Sequence, residues 1–213
     1  MRKFFPCVLT MFALVMGTAV AQDAKKAIAH ADVVEIMLLR QKAVRAELKL
    51  DSEEDAKKIY EFTHSQHEAA EKIHKLPEAE QKEKWMALDK ANREFLKSNL
   101  SKDQRKRLKQ IAMQTVGIVM LELPSVAKEI KLTPEQKERV DKMRKELRAK
   151  AHAIAEAPKS KERNEKLAEF RKEGTTFLMS VLTSEQRKSW DKMAGAPFKG
   201  KLAYEEKEKE EKK

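Results

Sequence analysis

The chain has 213 residues, with 46 Lys and Arg against 35 Asp and Glu, so its formal net charge is +11 and charged residues make up 38% of it. Gly and Pro are scarce, while Ala, Glu, Lys and Leu dominate, which is typical of a helical or coiled-coil-like protein. Basic and acidic residues alternate, as in the closing "KEKEEKK", and only 6% of the residues are aromatic. The charge therefore indicates solvated helix faces and argues against a nucleic-acid partner.

Residues 1–21 predict a secretory signal peptide. A basic start precedes the almost wholly apolar run 4–20, and the small-x-small sequence "AVA" predicts cleavage between Ala21 and Gln22. The run is too short and wrongly flanked for a stop-transfer helix. We therefore expect a mature chain that is periplasmic or secreted and has no stable membrane anchor.

The mature chain has no cysteine, because Cys7 lies inside the predicted signal peptide. Residues 1–21 also hold two basic and no acidic residues, which leaves 44 Lys and Arg against 35 Asp and Glu, a net charge of about +9. An exported protein without disulfides must be stabilised by burial alone, and the mature length suffices for one sizeable core or two small ones.

A five-residue phrase occurs four times in the mature chain. It reads LDSEE, LSKDQ, LTPEQ and LTSEQ, starting at Leu50, Leu100, Leu132 and Leu182. The first and third copies are 82 residues apart, and so are the second and fourth. Neighbouring residues follow the same offset, as Phe95 does with Phe177. A fixed offset of this kind predicts a duplicated unit.

The duplication divides the chain into four predicted segments. They are the signal peptide at 1–21, a leader with the first repeat at 22–112, the second repeat at 113–194, and a tail at 195–213. The tail is charged and has no apolar face, so we expect it to be disordered.

Both repeats are predicted to be all-α helical hairpins. Apolar residues recur at spacings of three, four and seven, which marks one face of a helix. In the second repeat these faces are Val140, Met143, Leu147 and Ile154, then Leu167, Phe170, Phe177 and Leu178. In the first repeat they are Ile59, Phe62, Gln66, Ala69 and Ile73, then Trp85, Leu88, Asn92, Phe95 and Leu96. Residues 104–122 predict one continuous helix between the repeats, and no segment alternates with a period of two, so no sheet is expected.

The repeated phrase is predicted to start a helix each time. Its second residue is a suitable N-cap, and the residue three further on completes a capping box. The caps are Asp51, Ser101, Thr133 and Thr183, and their partners are Glu54, Gln104, Gln136 and Gln186. The four leucines that open the phrase are expected to pack into the core at helix corners.

The phrases "LTPEQ" and "LTSEQ" match the LTxxQ motif. Through it the mature chain resembles the bacterial periplasmic family that includes the Spy and CpxP stress proteins, with ZraP and CnrX as distant relatives. The wording "RLKQIAMQTVGIVMLELPSVAKEIKLTPEQKERV" and the closing "MAGAPFKG" are similar to a broader set of exported, tandem LTxxQ-like bacterial proteins of unassigned function. The resemblance implies an all-α, non-enzymatic stress-response protein that binds unfolded or aggregating proteins in the periplasm, as a chaperone does.

An alternative interpretation is a metal site in "HSQHEAAEKIH". His64, His67, Glu71 and His74 are spaced by three, four and three residues, which aligns them along one stripe roughly 130° from the apolar face. The stripe is therefore expected to face water or a partner. Imidazole and carboxylate groups at this spacing can bind Zn²⁺ or Cu²⁺, and the resemblance to the ZraP and CnrX branch also implies metal binding.

An enzyme is not expected. The numerous carboxylates are predicted on exposed faces, the mature chain has no cysteine nucleophile, and neither a G-x-S-x-G elbow nor a phosphate-binding glycine loop occurs.

A third interpretation is a structural module that presents its helices to a fixed partner in the envelope. Helical hairpins with exposed stripes also favour a homodimer.

Overall fold

The computed structural model describes residues 28–121, 123–156 and 160–202. Within these ranges the chain forms ten α-helices and no strand, so the predicted all-α class is confirmed. The helices are Ile28–Leu38 (α1), Lys42–Glu47 (α2), Glu53–His74 (α3), Glu78–Asn99 (α4), Lys102–Thr115 (α5), Gly117–Met120 (α6), Pro124–Ile130 (α7), Pro134–Glu156 (α8), Lys161–Val181 (α9) and Ser184–Ala194 (α10). The predicted signal peptide and its cleavage site between Ala21 and Gln22 lie outside the described residues.

The described residues divide into two compact units. The first unit contains Asp32–Ile111 together with residues 197–202, and the second contains Ala112–Ala196 together with residues 28–31. Each unit contains one antiparallel hairpin of long helices, α3 with α4 in the first and α8 with α9 in the second. That the two units arose by duplication stays a prediction.

The first hairpin closes over an apolar interior. The rings of Phe62 in α3 and Phe95 in α4 stack with centroids 3.8 Å apart and planes 10° from parallel. Such aromatic pairs add about 1 kcal/mol to the burial of their surfaces. The buried apolar residues of the two helices include Ile59, Ala70, Ile73, Leu88 and Leu96.

In the second unit the short helix α6 lies against α9 and α8, and α10 lies against α7. A Cβ atom on Gly117 would lie 2.8 Å from Cδ2 of Leu178 and 3.1 Å from Cζ2 of Trp190, so any larger residue would require these side chains to shift. The prediction of one continuous helix over 104–122 is wrong, because α5 ends at Thr115 and the helical conformation is interrupted at Val116. The break allows Gly117 to pack against both partners.

The short helices α2 and α7 end in the same way. Lys49 and Lys131 adopt left-handed backbone conformations, with φ of 56° and 57°. The N–H of the leucine that follows, Leu50 or Leu132, donates to the carbonyl five residues back at 2.8 and 3.0 Å. This is the Schellman arrangement, in which an apolar side chain follows the left-handed residue. The leucine of the repeated phrase therefore closes the preceding helix before the next residues start a new one.

The other two motif leucines end long helices. The N–H of Leu100 donates to the Leu96 carbonyl at 3.1 Å, and that of Leu182 to the Leu178 carbonyl at 3.4 Å. All four motif leucines are buried, with exposed fractions between 2% and 7%. Each therefore ends one helix and contributes to a core at the same time.

That residues 195–213 form a disordered tail stays a prediction, and residues 195–202 of it lie within the described part of the chain. Leu202 is buried, and Gln114 Nε2 donates to two carbonyls within residues 194–196, at 2.7 and 2.9 Å. The predicted tail thus begins with residues that make defined contacts, a hydrogen bond at Ala196 and the burial of Leu202, which the charge pattern did not predict. Residues 203–213 lie outside the described part of the chain.

Replacing Lys131 by Gly is expected to raise the free energy of unfolding by about 1 kcal/mol, because glycine adopts the left-handed conformation without a Cβ clash. Lys128→Gly, within the same short helix, is the matched control and should lower it by about 1 kcal/mol, since glycine is unfavourable inside a helix. Chemical denaturation measures both variants. An equal decrease in the free energy of unfolding of both variants would contradict the left-handed conformation of Lys131.

Candidate functional site

Three copies of the repeated phrase form reciprocal capping boxes. Thr183 Oγ1 accepts from the N–H of Gln186 at 3.3 Å, and Gln186 Oε1 accepts from the N–H of Thr183 at 2.9 Å. The same two bonds, at 2.8 to 3.2 Å, join Ser101 with Gln104 and Thr133 with Gln136. Each box satisfies two N–H groups at a helix start, and each cap contributes about 1 kcal/mol.

The first copy is capped differently, and the prediction of Asp51 as its N-cap is wrong. Ser52 precedes α3, and its Oγ accepts from the N–H of Asp55 at 3.1 Å. Glu54 therefore occupies the second helical position rather than the third. One extra residue lies between leucine and cap in this copy, so α3 matches α8 at an offset of 81 rather than 82.

In the second unit the two capping glutamines also bind each other. Gln136 Nε2 donates to Gln186 Oε1 at 2.7 Å, and Gln186 Nε2 donates to Gln136 Oε1 at 2.8 Å. Gln136 Nε2 also donates to the Val181 carbonyl at 2.7 Å, and Gln186 Nε2 to the Lys131 carbonyl at 3.1 Å. With the capping bonds included, each oxygen accepts two hydrogen bonds and each nitrogen donates two. Both amides are therefore fully satisfied.

The amide nitrogen explains why the phrase ends in glutamine. A capping box accepts Glu or Gln equally, but only an amide can also donate to a second segment. In the first unit Gln104 Nε2 donates in the same way to the Leu48 carbonyl at 2.8 Å. The sequence interpretation missed this role, and the signal that could have found it is the glutamine itself.

Gln136→Glu is expected to lower the free energy of unfolding by about 2–3 kcal/mol at pH 7, because a buried carboxylate would face carbonyl oxygens without a donor. Gln104→Glu should cost about 1 kcal/mol, since it loses one bond at a half-buried position. Protonation restores a donor, so the deficit of Gln136→Glu should shrink towards pH 4. Denaturation curves at both pH values test this, and equal losses in the two variants would count against it.

Two histidines of the predicted stripe each lie beside a different glutamate. His64 Nδ1 lies 3.6 Å from Glu68 Oε1, and His67 Nε2 lies 3.2 Å from Glu71 Oε1. Within the part of the chain that the structure describes, no three His, Cys, Asp or Glu side chains converge as metal ligands. His74 ends α3, and its side chain lies outside the description.

The expectation that the stripe faces water is wrong for His67, which is only 9% exposed, while Thr63 one turn earlier is fully buried. Arg40, after α1, lies near this side of α3: its Cζ is 5.9 Å from the Tyr60 ring centroid, and its charge acts on His67. Burial lowers the pKa of His67; Glu71 opposes this shift and Arg40 adds to it. The imidazole is therefore neutral at pH 7, and its buried Nδ1 has no hydrogen-bond partner among the described residues.

The stability that His67 contributes is expected to fall as the pH drops through the ordinary histidine pKa of about 6.5. Above the unfolded pKa of about 6.5 the imidazole is neutral in both states; below it only the unfolded chain binds the proton, until the pH passes the lowered native pKa. The groups around His67 are Glu71, Arg40, His64 and Glu68. Relative to His67→Gln, the wild type should lose up to about 1.4 kcal/mol per pH unit in denaturation experiments. Parallel pH curves for the two proteins would contradict the burial.

The interior of the α3–α4 hairpin contains amides at positions assigned to apolar stripes. Asn92 is 1% exposed, and neither its Oδ1 nor its Nδ2 has a hydrogen-bond partner among the described residues; the same holds for the buried Oε1 of Gln66. Leaving such a group unpaired costs about 1–3 kcal/mol. The second hairpin has Leu147 and Gly174 at the matching positions, where a Cβ on Gly174 would make an ordinary 3.8 Å contact with Leu147 Cδ1. We therefore expect the first hairpin to be held together less firmly than the second.

No family model matches this chain. No curated protein and no solved structure matches it either. The resemblance to the LTxxQ-motif family therefore stays an expectation based on the motif residues. In residues 28–121, 123–156 and 160–202, no helix combines the length and the hydropathy that a membrane span requires.

Proposed function

We propose that the mature chain is an exported, non-enzymatic binding protein that holds unfolded or aggregating proteins in the bacterial envelope. The observation that carries the proposal is the basic surplus of the second long hairpin. Residues 134–181, which include the α8–α9 hairpin, hold 13 Lys and Arg against nine Asp and Glu. Most of these side chains, where their exposure is described, are exposed. Such a surface attracts acidic clients over a distance of about one Debye length.

Apolar contact is available on the first hairpin. Among the described residues, the large apolar side chains that are exposed are Tyr60 of α3, at 40%, and Met86 of α4, at 62%. Methionine adapts its shape to irregular apolar partners. The native surface thus supplies long-range attraction and a small apolar contact area, a combination that favours weak and reversible binding.

The test is suppression of client aggregation, followed by light scattering with the full mature chain. An acidic, heat-denatured client should aggregate more slowly at equimolar ratio, and a basic client of similar size should benefit less. Raising the salt from about 0.03 M to about 0.3 M shortens the Debye length about threefold and should weaken the effect. Absence of suppression at several-fold excess would overturn the proposal.

A charge-reversed variant provides the matched control. Lys137→Glu, Lys142→Glu and Lys145→Glu change exposed positions of α8, so the fold should be retained while the basic surplus of the hairpin is lost. Suppression for the acidic client should fall and that for the basic client should not. Equal loss for both clients would show that charge does not guide binding.

A further inference from the structure

The two hairpins differ at one matched pair of interior positions. Gln66 lies fourteen residues after its cap, as Leu147 does, and Asn92 lies eight residues before its motif leucine, as Gly174 does. In the second hairpin Leu147 fills the space above Gly174. The first hairpin has an amide in both places, although both units share the same order of helices around their hairpins.

These two amides belong to the same level of the first hairpin. The helices are antiparallel and Phe62 stacks on Phe95, so one turn further along α3 and one turn back along α4 lead to Gln66 and Asn92. Within the described part of the chain, Asn92 Oδ1, Asn92 Nδ2 and Gln66 Oε1 are buried without a hydrogen-bond partner. This level of the hairpin therefore has buried donor and acceptor atoms next to a half-buried aromatic pair, and none of these polar atoms stabilises the closed form.

We propose that the α3–α4 hairpin opens and that its interior binds an extended segment of an unfolded polypeptide; this proposal rests on the proposed function. Side-chain amides offer both donors and acceptors, as the backbone of an extended segment does, so each can satisfy the other. The rings of Phe62 and Phe95 then pack against the apolar side chains of the segment. Opening is favoured at this level, because unpaired amides gain hydrogen bonds when they leave the closed interior, whereas the matching level of the second hairpin holds Leu147 and Gly174.

The first experiment tests opening without a client. Hydrogen exchange of the full mature chain should be faster in α3–α4 than in α8–α9. Gln66→Leu with Asn92→Ala, which removes the unpaired amides, should slow exchange in α3–α4 by about tenfold and raise the thermal midpoint. Ser65→Ala with Ser98→Ala, at exposed positions of the same helices, is the control and should change neither. Unchanged or faster exchange in the interior variant would overturn the proposal, because the amides would then be satisfied in the closed form.

The second experiment locates the client. Phe95→p-benzoylphenylalanine places a photocrosslinker in the first hairpin, and the same change at Phe177 places it at the matching position of the second. Crosslinks to an unfolded client are expected from position 95 and not from 177, and the Gln66→Leu, Asn92→Ala variant should suppress aggregation several-fold less well than the wild type. Full suppression by that variant would refute the site while leaving the proposed function standing. No suppression by the wild type would refute both, whatever the exchange rates show.

Discussion

Two side-chain amides, those of Gln136 and Gln186, hold four chain segments of the second unit together, because each donates two hydrogen bonds and accepts two. Each oxygen fixes the start of one helix through its capping box, and each nitrogen reaches the end of another element at Val181 or Lys131. The arrangement is stringent, since a carboxylate could cap a helix but could not donate. The paired amides therefore fix the position of the start of α8 relative to the start of α10, and with them the positions of the buried leucines Leu132 and Leu182.

The first unit has the same order of helices with a looser set of polar contacts. Gln104 bonds to the Leu48 carbonyl, but the position that corresponds to Gln136 is Asp55, which lacks the amide donor. Its hairpin also buries Asn92 without partners among the described residues. The first unit thus has one amide donor fewer at its corner and unpaired amide atoms at one level of its hairpin, and the proposed opening of that hairpin starts from these two features.

The histidines illustrate what the spacing of residues along one helix can predict and what it cannot. Spacing alone places His64 and His67 on one stripe, and the structure keeps them on one side of α3. Spacing could not predict the solvent exposure of that stripe, because exposure depends on which other segments pack nearby, and His67 is buried. The sequence could not predict the unpaired amides for the same reason. Gln66 and Asn92 fit an apolar periodicity, and only the packing shows that Gln66 Oε1 and both amide atoms of Asn92 are buried without a hydrogen-bond partner among the described residues.

The sequence by itself determined the all-α class, three capping boxes and the burial of the motif leucines, because propensity, capping and apolar periodicity act within a few residues of the chain. Tertiary structure alone decided the Gln136–Gln186 pair, the break before Gly117 and the burial of His67. Each of these depends on groups far apart in sequence meeting at hydrogen-bonding or van der Waals distance. Local patterns specify which helices form. The partners of a glutamine amide and the exposure of an imidazole depend instead on which other segments the fold places against them.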